Sequence, residues 1–537
     1  MCYECAPPPA AAASGELPIS QSPSLRLGEF VATLALAQDN AFGQPLESQL
    51  RSCLLAVWLC DAAGYDRRVR DTAYWVALLR YIGCTGHAHE VATLFGDEIA
   101  IRAQTLVHDA ANPPEVIRDV IEYATAGRTG DERGAILQLI QTSAPQWAVH
   151  NFTSGCEVGE MLLRRLPIAA PVRDALGFTF ERWNGKGYPA HVAGEAIPLP
   201  MRVVHLTHDM EALARRFSVD RALEAVRDRR DRTYDPAVVD VFLAHGRDWL
   251  ERLRTVEPWD AVLDLEPRPH RGLDGAALDE ALLVAADFAD MKSPFMNGHS
   301  RRCAQLVVDA ARVLGLPDAD VTALRHAALV HDLGTTAVPN SIWDKPAALT
   351  RAEFDRVELH PLLTEQMLRR SPALARLTHL AAAHHERLDG SGYHKRLKSD
   401  AADAGAALLA AVEVYVGLTA DRADRPAHIP ADAAGALARL EAQGLLDPRA
   451  CRAVLVAAGH GVAHTVAEAR PERPGGLSGR EVEVLRLAAR GLTTQTIADQ
   501  LFISPKTADH HIQHIYNKIG VSTRAAAALW AMQNAVV

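Results

Sequence analysis

The stretch VTALRHAALVHDLGT, Val321–Thr335, decides how this chain is read. Its apolar residues recur at helical spacing, which predicts a buried helix from about Asp320 to Leu333. That helix ends on His331-Asp332 and is stopped by Gly334 in the C′ position. An imidazole beside a carboxylate at a buried helix end costs free energy unless both are bound by something. More histidines stand at readable intervals: His299 upstream, then His360 and the pair His384-His385 downstream. Imidazole and carboxylate are good ligands for first-row divalent ions. Two such ions about 3.5–4 Å apart can hold an attacking hydroxide and neutralise a phosphodiester. A lone histidine is ordinarily a core or surface residue; it is the set, not any one member, that points to metal.

Working outward, two segments resemble each other. FERWNGKGYP (Phe180–Pro189) lies over HERLDGSGYH (His385–His394), GEMLLRRLP over EQMLRRSPA, and LLRYIGCT (Leu78–Thr85) over LVHDLGTT (Leu329–Thr336). An internal duplication is therefore expected, 25–260 against 275–462. The copies differ where chemistry would be. Arg80-Tyr81 stand for His331-Asp332, Thr179-Phe180 for His384-His385, and Ser154 for His360. The first copy keeps a scaffold and lacks the ligands, leaving it to scaffold, dimerise, sense a ligand, or simply pack on the second.

The whole chain is 537 residues long, too long for one core, with 48% hydrophobic and 23% charged residues. A formal charge of −10 argues against non-specific coating of nucleic acid but leaves room for one small DNA-binding module. No apolar run approaches the roughly 18 residues of a membrane span. The beginning shows no basic segment followed by an apolar one, and the eight cysteines are scattered, so a cytoplasmic protein without a membrane partner is expected. Residues 1–24, rich in Pro and Ala, read as disordered, and 463–476 as a linker. Between them Ala, Leu and Arg abound and strand-like alternation is scarce, so the fold class is all-α.

Residues 477–537 carry dense helix punctuation. Ser478-x-x-Glu481 is a capping box, Gly491 a stop, Thr493 a cap, Ser504-Pro505 an N-cap followed by Pro at N1, and Gly520 a second stop. A fourth helix can start at Ser522. In the third helix Ala508, Ile512, Ile515 and Ile519 should face inward, which leaves Lys506, Asp509, His510, Gln513 and Asn517 on the opposite face.

Two family resemblances follow from these motifs. HDLGT, ELHPLLTEQML and HHERLDGSGY, preceded by MKSPFMNGHSRRCA, resemble the HD-GYP branch of the HD phosphohydrolases. The resemblance implies tandem HD-like helical bundles, a site with two divalent ions (Fe or Mn, with Zn, Mg or Co as alternatives), and a cyclic dinucleotide such as cyclic di-GMP, or another nucleotide, as substrate. The implied metal ligands are His299, His331, Asp332, His360, His384, His385 and Glu413. The last stands where the family has Asp. His331, Asp332 and Glu386 are the expected catalytic residues, and Thr335, Asp389, Gly390, Gly392 and Tyr393 the expected substrate contacts. Two positions depart from the family pattern. Thr335 replaces a phosphate-binding Lys and supplies no charge, and His394 replaces the Pro of Gly-Tyr-Pro. The rival reading is a transcription factor whose HD region senses a nucleotide or metal without cleaving.

The final stretch, LSGREVEVLRLAARGLTTQTIADQLFISPKTADHHIQHIYNKIGVSTRAAAALWA, resembles the LuxR-type helix-turn-helix. It implies a four-helix domain whose third helix reads a specific operator in the major groove, and a homodimer through the last helix around Leu529 and Trp530. On this reading Gln513 pairs with adenine, Asp509 accepts from cytosine and His510 reaches a base or a phosphate. Lys506, Thr507 and Lys518 are phosphate contacts, with Thr496 and Arg524 outlying.

Overall fold

The computed structural model describes residues 24–109, 111–126, 128–398, 403–460 and 474–537. The disorder expected for 1–24 and most of the 463–476 linker lie outside the described residues. The fold is all-α as expected, apart from one clip: Leu25-Arg26 pairs antiparallel with Gly272-Leu273. There Glu266 accepts from the Gly28 amide at 2.9 Å and from Arg26 Nε at 3.0 Å, tying the start of the first copy to the start of the second.

The duplication is visible in three dimensions. Helix Ser48–Ala62 packs on Arg67–Leu79 and Leu199–Arg216 as His299–Val313 packs on Asp318–Val330 and Ala404–Leu418. Single hydrogen bonds repeat too. Asp39 Oδ1 accepts from the Gln49 amide at 3.1 Å, and Asp290 Oδ2 from the Ser300 amide at 2.9 Å. The two copies do not have separate interiors. One apolar cluster runs from Leu25 through Phe30, Tyr74, Phe242 and Phe288 to Val454.

Two sequence expectations change. The helix before the His-Asp pair spans Asp318–Val330 and continues as a tight turn, Leu333–Ala337. Gly334 is not a left-handed stop. It is a close approach, since an added Cβ would lie 1.9 Å from the His360 carbonyl oxygen. Its counterpart Gly83 would place a Cβ 1.8 Å from the carbonyl oxygen of Gly155. The backbone thus matches His360 with Gly155, one residue beyond Ser154. The sequence could not fix that register, because the text between the motifs differs in length.

The C-terminal unit has its own core of Val484, Leu485, Ile497, Ile512 and Ile515 around helices Gly479–Ala489, Thr494–Gln500, Pro505–Ile519 and Arg524–Gln533. Its last helix also joins the large core: Ala525, Leu529 and Met532 pack there, against the 34-residue helix Gly130–Leu163. Glu157 on that long helix caps the last one. Its carboxylate accepts from the Ser522 amide and from the Thr523 hydroxyl, both at 2.7 Å. Thr523, not Ser522, is the N-cap, accepting from the Ala526 amide. Leu529, expected at a dimer seam, is fully buried within its own chain.

Candidate metal centre

His331 and Asp332 reach the core because their helix breaks into the tight turn just there. Thr364 locks the turn to the next helix, His360–Leu368: its hydroxyl donates to the His331 carbonyl at 2.8 Å and accepts from the Gly334 amide at 2.9 Å. With Gly334 lacking a side chain, His360 is carried onto Asp332. His384-His385 end the short Thr378–Ala381 segment, His299 opens a helix behind Gly298 in the left-handed conformation, and Glu413 lies inside Ala404–Leu418.

The two oxygens of Asp332 face different groups. Oδ2 lies 3.7 Å from His299 Nε2 and 3.5 Å from His331 Nε2. Glu413 Oε2 closes this side, 2.9 Å from His299 Nε2 and 3.4 Å from His331 Nε2. Oδ1 lies 3.3 Å from His360 Nε2 and 3.5 Å from His384 Nε2. His385 stands beside them, its ring 4.3 Å from that of His384 and 4.4 Å from that of Tyr393, which is tilted against it. The structure therefore brings together all seven expected ligands, as two clusters sharing one carboxylate.

The protonation pattern suits cations. Nδ1 of His331, His360 and His384 faces the carbonyls of Ala328, Val357 and Ala381 at 2.8, 2.7 and 2.6 Å. A carbonyl only accepts, so each Nδ1 carries a proton, and Nε2 is the nitrogen left to face a metal ion. The Nε2 atoms of His360 and His384 then face each other 3.0 Å apart as two acceptors, an arrangement that a shared cation relieves. Nε2 of His331 and Oδ1 of Asp332 are buried without hydrogen-bond partners. Such orphans are costly in a protein interior and satisfied by an ion. By donor type and orientation, the residues fit divalent metal.

Charge follows the same logic. Burial raises Asp332 and Glu413, but the imidazoles around them outweigh it and hold both well below the usual carboxylate range. Burial lowers His331, yet Asp332 and Glu413 overcome it and bring that ring up to about 9. For His384 burial wins, and it falls to about 4 despite Asp332. An arriving cation must displace the proton that the upward shift favours on His331.

Several expected roles are placed differently. Glu386 is not among the clustered ligands. Its oxygens accept from the loop amides of Lys395 at 3.1 Å and Leu397 at 2.8 Å. The first copy repeats this, with Glu181 accepting from Ala190 and Val192, although it has no ligand set to serve. Glu386 is a loop brace rather than a catalytic group. Gly390 adopts a left-handed turn, and Gly392 packs so closely that a Cβ would meet the Arg387 amide at 2.5 Å; Asp389 accepts from the Ser391 amide and is exposed. These three shape the loop, and Tyr393 is its member at the site. Thr335 is buried and its hydroxyl donates to the Asp332 carbonyl at 2.7 Å, which makes it part of the turn, not a free phosphate donor. Sequence reading missed Cys303, whose Sγ lies 3.6 Å from His299 Nε2 and 3.5 Å from Glu413 Oε2. Its spacing of one helical turn from His299 was the available signal.

In the C-terminal unit, Ala508, Ile512 and Ile515 are buried as expected, joined by Tyr516. Lys506, Thr507, Asp509, His510, Gln513 and Thr496 are exposed. Two expected phosphate contacts are engaged elsewhere. Lys518 Nζ holds Glu481 at 2.7 Å and the Gly476 carbonyl at 3.2 Å, and Arg524 donates to the Leu492 carbonyl.

Comparison with known proteins agrees with this architecture. The HD domain family matches residues 150–238 and 284–450, and the luxR family of bacterial regulatory proteins matches 476–531. A 3′3′-cGAMP-specific phosphodiesterase of Vibrio cholerae is 29% identical over 432 residues, 80% of this chain and 94% of that protein. A cyclic di-GMP phosphodiesterase of Pseudomonas aeruginosa is 37% identical over 164 residues, covering 30% of this chain and 39% of its own length. The crystal structure of a cyclic GMP-AMP-specific phosphodiesterase from V. cholerae superposes with a TM-score of 0.57 at 25% identity, over 81% of this chain and 98% of that one. Fold, His/Asp cluster and these matches agree: two stretches of the chain carry similarity to the HD domain family, whose relatives here are cyclic dinucleotide phosphodiesterases, and the C-terminal stretch carries similarity to the luxR family of bacterial regulatory proteins.

Proposed function

We propose that the second HD copy, 275–462, hydrolyses a phosphodiester bond of a cyclic dinucleotide, and that the helix-turn-helix unit, 477–537, reads a specific operator. The first copy, 25–260, bears no metal on this reading. The observation that carries the enzymatic half is Asp332, with one oxygen facing His299 and His331 and the other facing His360 and His384. Divalent ions held by these residues and Glu413 would supply Lewis acidity to the water nucleophile and to the phosphate. The chain's own part is positioning. Backbone carbonyls orient three imidazoles, Thr364 pins the turn to the His360 helix, and Tyr393 offers a ring face beside His385 on which a nucleobase can stack. The extent of similarity to the 3′3′-cGAMP-specific relative ranks that mixed dinucleotide beside cyclic di-GMP as first substrates to try. The engaged hydroxyl of Thr335 favours a second reading, a sensor that binds without turnover, since no charge stands there for phosphate.

Metal analysis of the anaerobically purified protein, paired with hydrolysis of both dinucleotides under added Mn or Fe, tests this. Bound metal with turnover is the expected result. Metal without turnover selects the sensor, and absence of both metal and turnover refutes the site. On the DNA side, Gln513→Ala should cost about 1–3 kcal/mol on the operator and relax its specificity, whereas Lys506→Ala should weaken specific and random DNA alike. Equal behaviour of the two variants in salt-matched binding titrations would refute the assigned face.

A further inference from the structure

The first copy has not simply lost its metal site. In its place is a cavity of about 350 Å³. Arg80 and Tyr81, the counterparts of His331-Asp332, line it together with Phe180, the counterpart of His385. Where His360 would project, Gly155 leaves room that the His87 ring fills, its Cε1 3.2 Å from the place of a Cβ. Among the described residues no group of potential metal ligands lies here. The walls are aromatic: Phe152 lies 4.2 Å from Phe180 and 5.6 Å from Tyr188 by ring centroids, and Trp147 closes another side.

The charge in this cavity is unbalanced. Arg80, Arg102 and Arg182 are all buried and line it; among the described residues none of them forms an ion pair with a carboxylate, and Asp209 acts on Arg80 and Arg182 only from a longer distance. Arg102 donates to the carbonyls of Ala41 and Cys84. Arg80 donates to the Val204 carbonyl, and Arg182 to those of Thr179 and Glu181, while Nε of each is buried with no partner. Asp209, the one carboxylate among the lining residues, is already hydrogen-bonded by Tyr234 at 2.8 Å and faces His208 at 3.4 Å. Three buried guanidiniums against one carboxylate are costly unless an anion joins them.

We propose that this cavity binds a small aromatic carboxylate, with its ring among Phe152, Phe180 and Tyr188 and its carboxylate against the guanidiniums of Arg80, Arg102 and Arg182 that line it. The volume suits one fused ring system and a short acidic arm, at the lower end of the range for small-molecule pockets. Guanidinium matches carboxylate through paired donors, and aromatic walls reward a flat ring over a flexible chain.

The test is calorimetric titration of the full-length protein with 1-naphthoate, its uncharged amide 1-naphthamide, and octanoate. 1-Naphthoate is expected to bind at least about tenfold more tightly than either control, since each lacks one of the two recognised features. Binding should survive removal of divalent ions by chelation, which separates this cavity from the metal centre. Arg80→Met should weaken 1-naphthoate at least about tenfold and leave 1-naphthamide unchanged. Comparing the three compounds on the wild-type protein needs no variant to fold. Equal affinity for acid and amide, equal affinity for octanoate, loss of binding on chelation, or no binding at millimolar concentration would each overturn the proposal.

Discussion

Asp332→Ala is expected to reduce the metal content of the purified protein by at least half and to lower dinucleotide hydrolysis at least about 10³-fold, about 4 kcal/mol in the barrier. The size follows from the position of this carboxylate between the two clusters. His299, His331 and Glu413 remain on one side after the change, and His360, His384 and His385 on the other, but no group joins them. Removal also leaves His331, now raised to about 9, with only Glu413 as a close anionic neighbour. Elemental analysis together with initial rates under added Mn or Fe measures both effects. Full metal content in the variant would remove Asp332 from the ligand set. The comparison variant Glu386→Gln should retain metal, because Glu386 braces a loop and touches neither cluster.

Gly334→Ala carries the second large effect, and it comes from backbone alone. The new Cβ would sit 1.9 Å from the His360 carbonyl oxygen and 2.8 Å from the Thr364 amide, so the His360–Leu368 helix must move away from the turn. That movement strains the Gly334–Thr364 and Thr364–His331 hydrogen bonds and should destabilise the protein by about 3 kcal/mol. A displacement of about 1 Å at His360 should cost about 10²-fold in rate. Urea unfolding and activity measured on the same sample check the pair of effects. Gly315→Ala is the control. Gly315 has φ of +69° and nothing within 4 Å of its Cβ position, so only about 1 kcal/mol of backbone strain is expected and activity should persist. Similar losses in both variants would mean that conformation, not crowding, is what Gly334 supplies.

These two residues mark what the sequence made legible. Asp332 and His384 could be read because an imidazole or carboxylate has no structural place at the end of an apolar helix, while Glu413 was implied only by the family resemblance. The caps at Ser478 and Ser504 could be read because capping is local. Close approach is not local. Whether Gly334 ends a helix or admits a neighbouring backbone depends on a segment about thirty residues later, and the pairing of Gly155 with His360 depends on the same contact. Glu386 carried the right chemistry for a ligand, but its partners, the amides of Lys395 and Leu397, are backbone and leave no trace in side-chain identity. The cavity of the first copy was invisible for the same reason. Arg80, Trp147 and Phe180 belong to separate segments, and only the folded chain shows three guanidiniums around one void.

The long helix Gly130–Leu163 belongs to two places at once. Phe152 and Asn151 line the aromatic cavity, and Glu157, little more than one turn further on, holds the beginning of the last helix of the DNA-binding unit. One helix thus touches both the proposed ligand cavity and the unit proposed to read an operator. A shift of this helix on filling of the proposed cavity would reach Ser522 and Thr523 through Glu157, and a shift of the last helix on binding of an operator would reach Phe152 by the same route. Thermodynamic reciprocity then fixes the exchange: the factor by which a cavity occupant changes operator affinity equals the factor by which the operator changes the occupant's affinity.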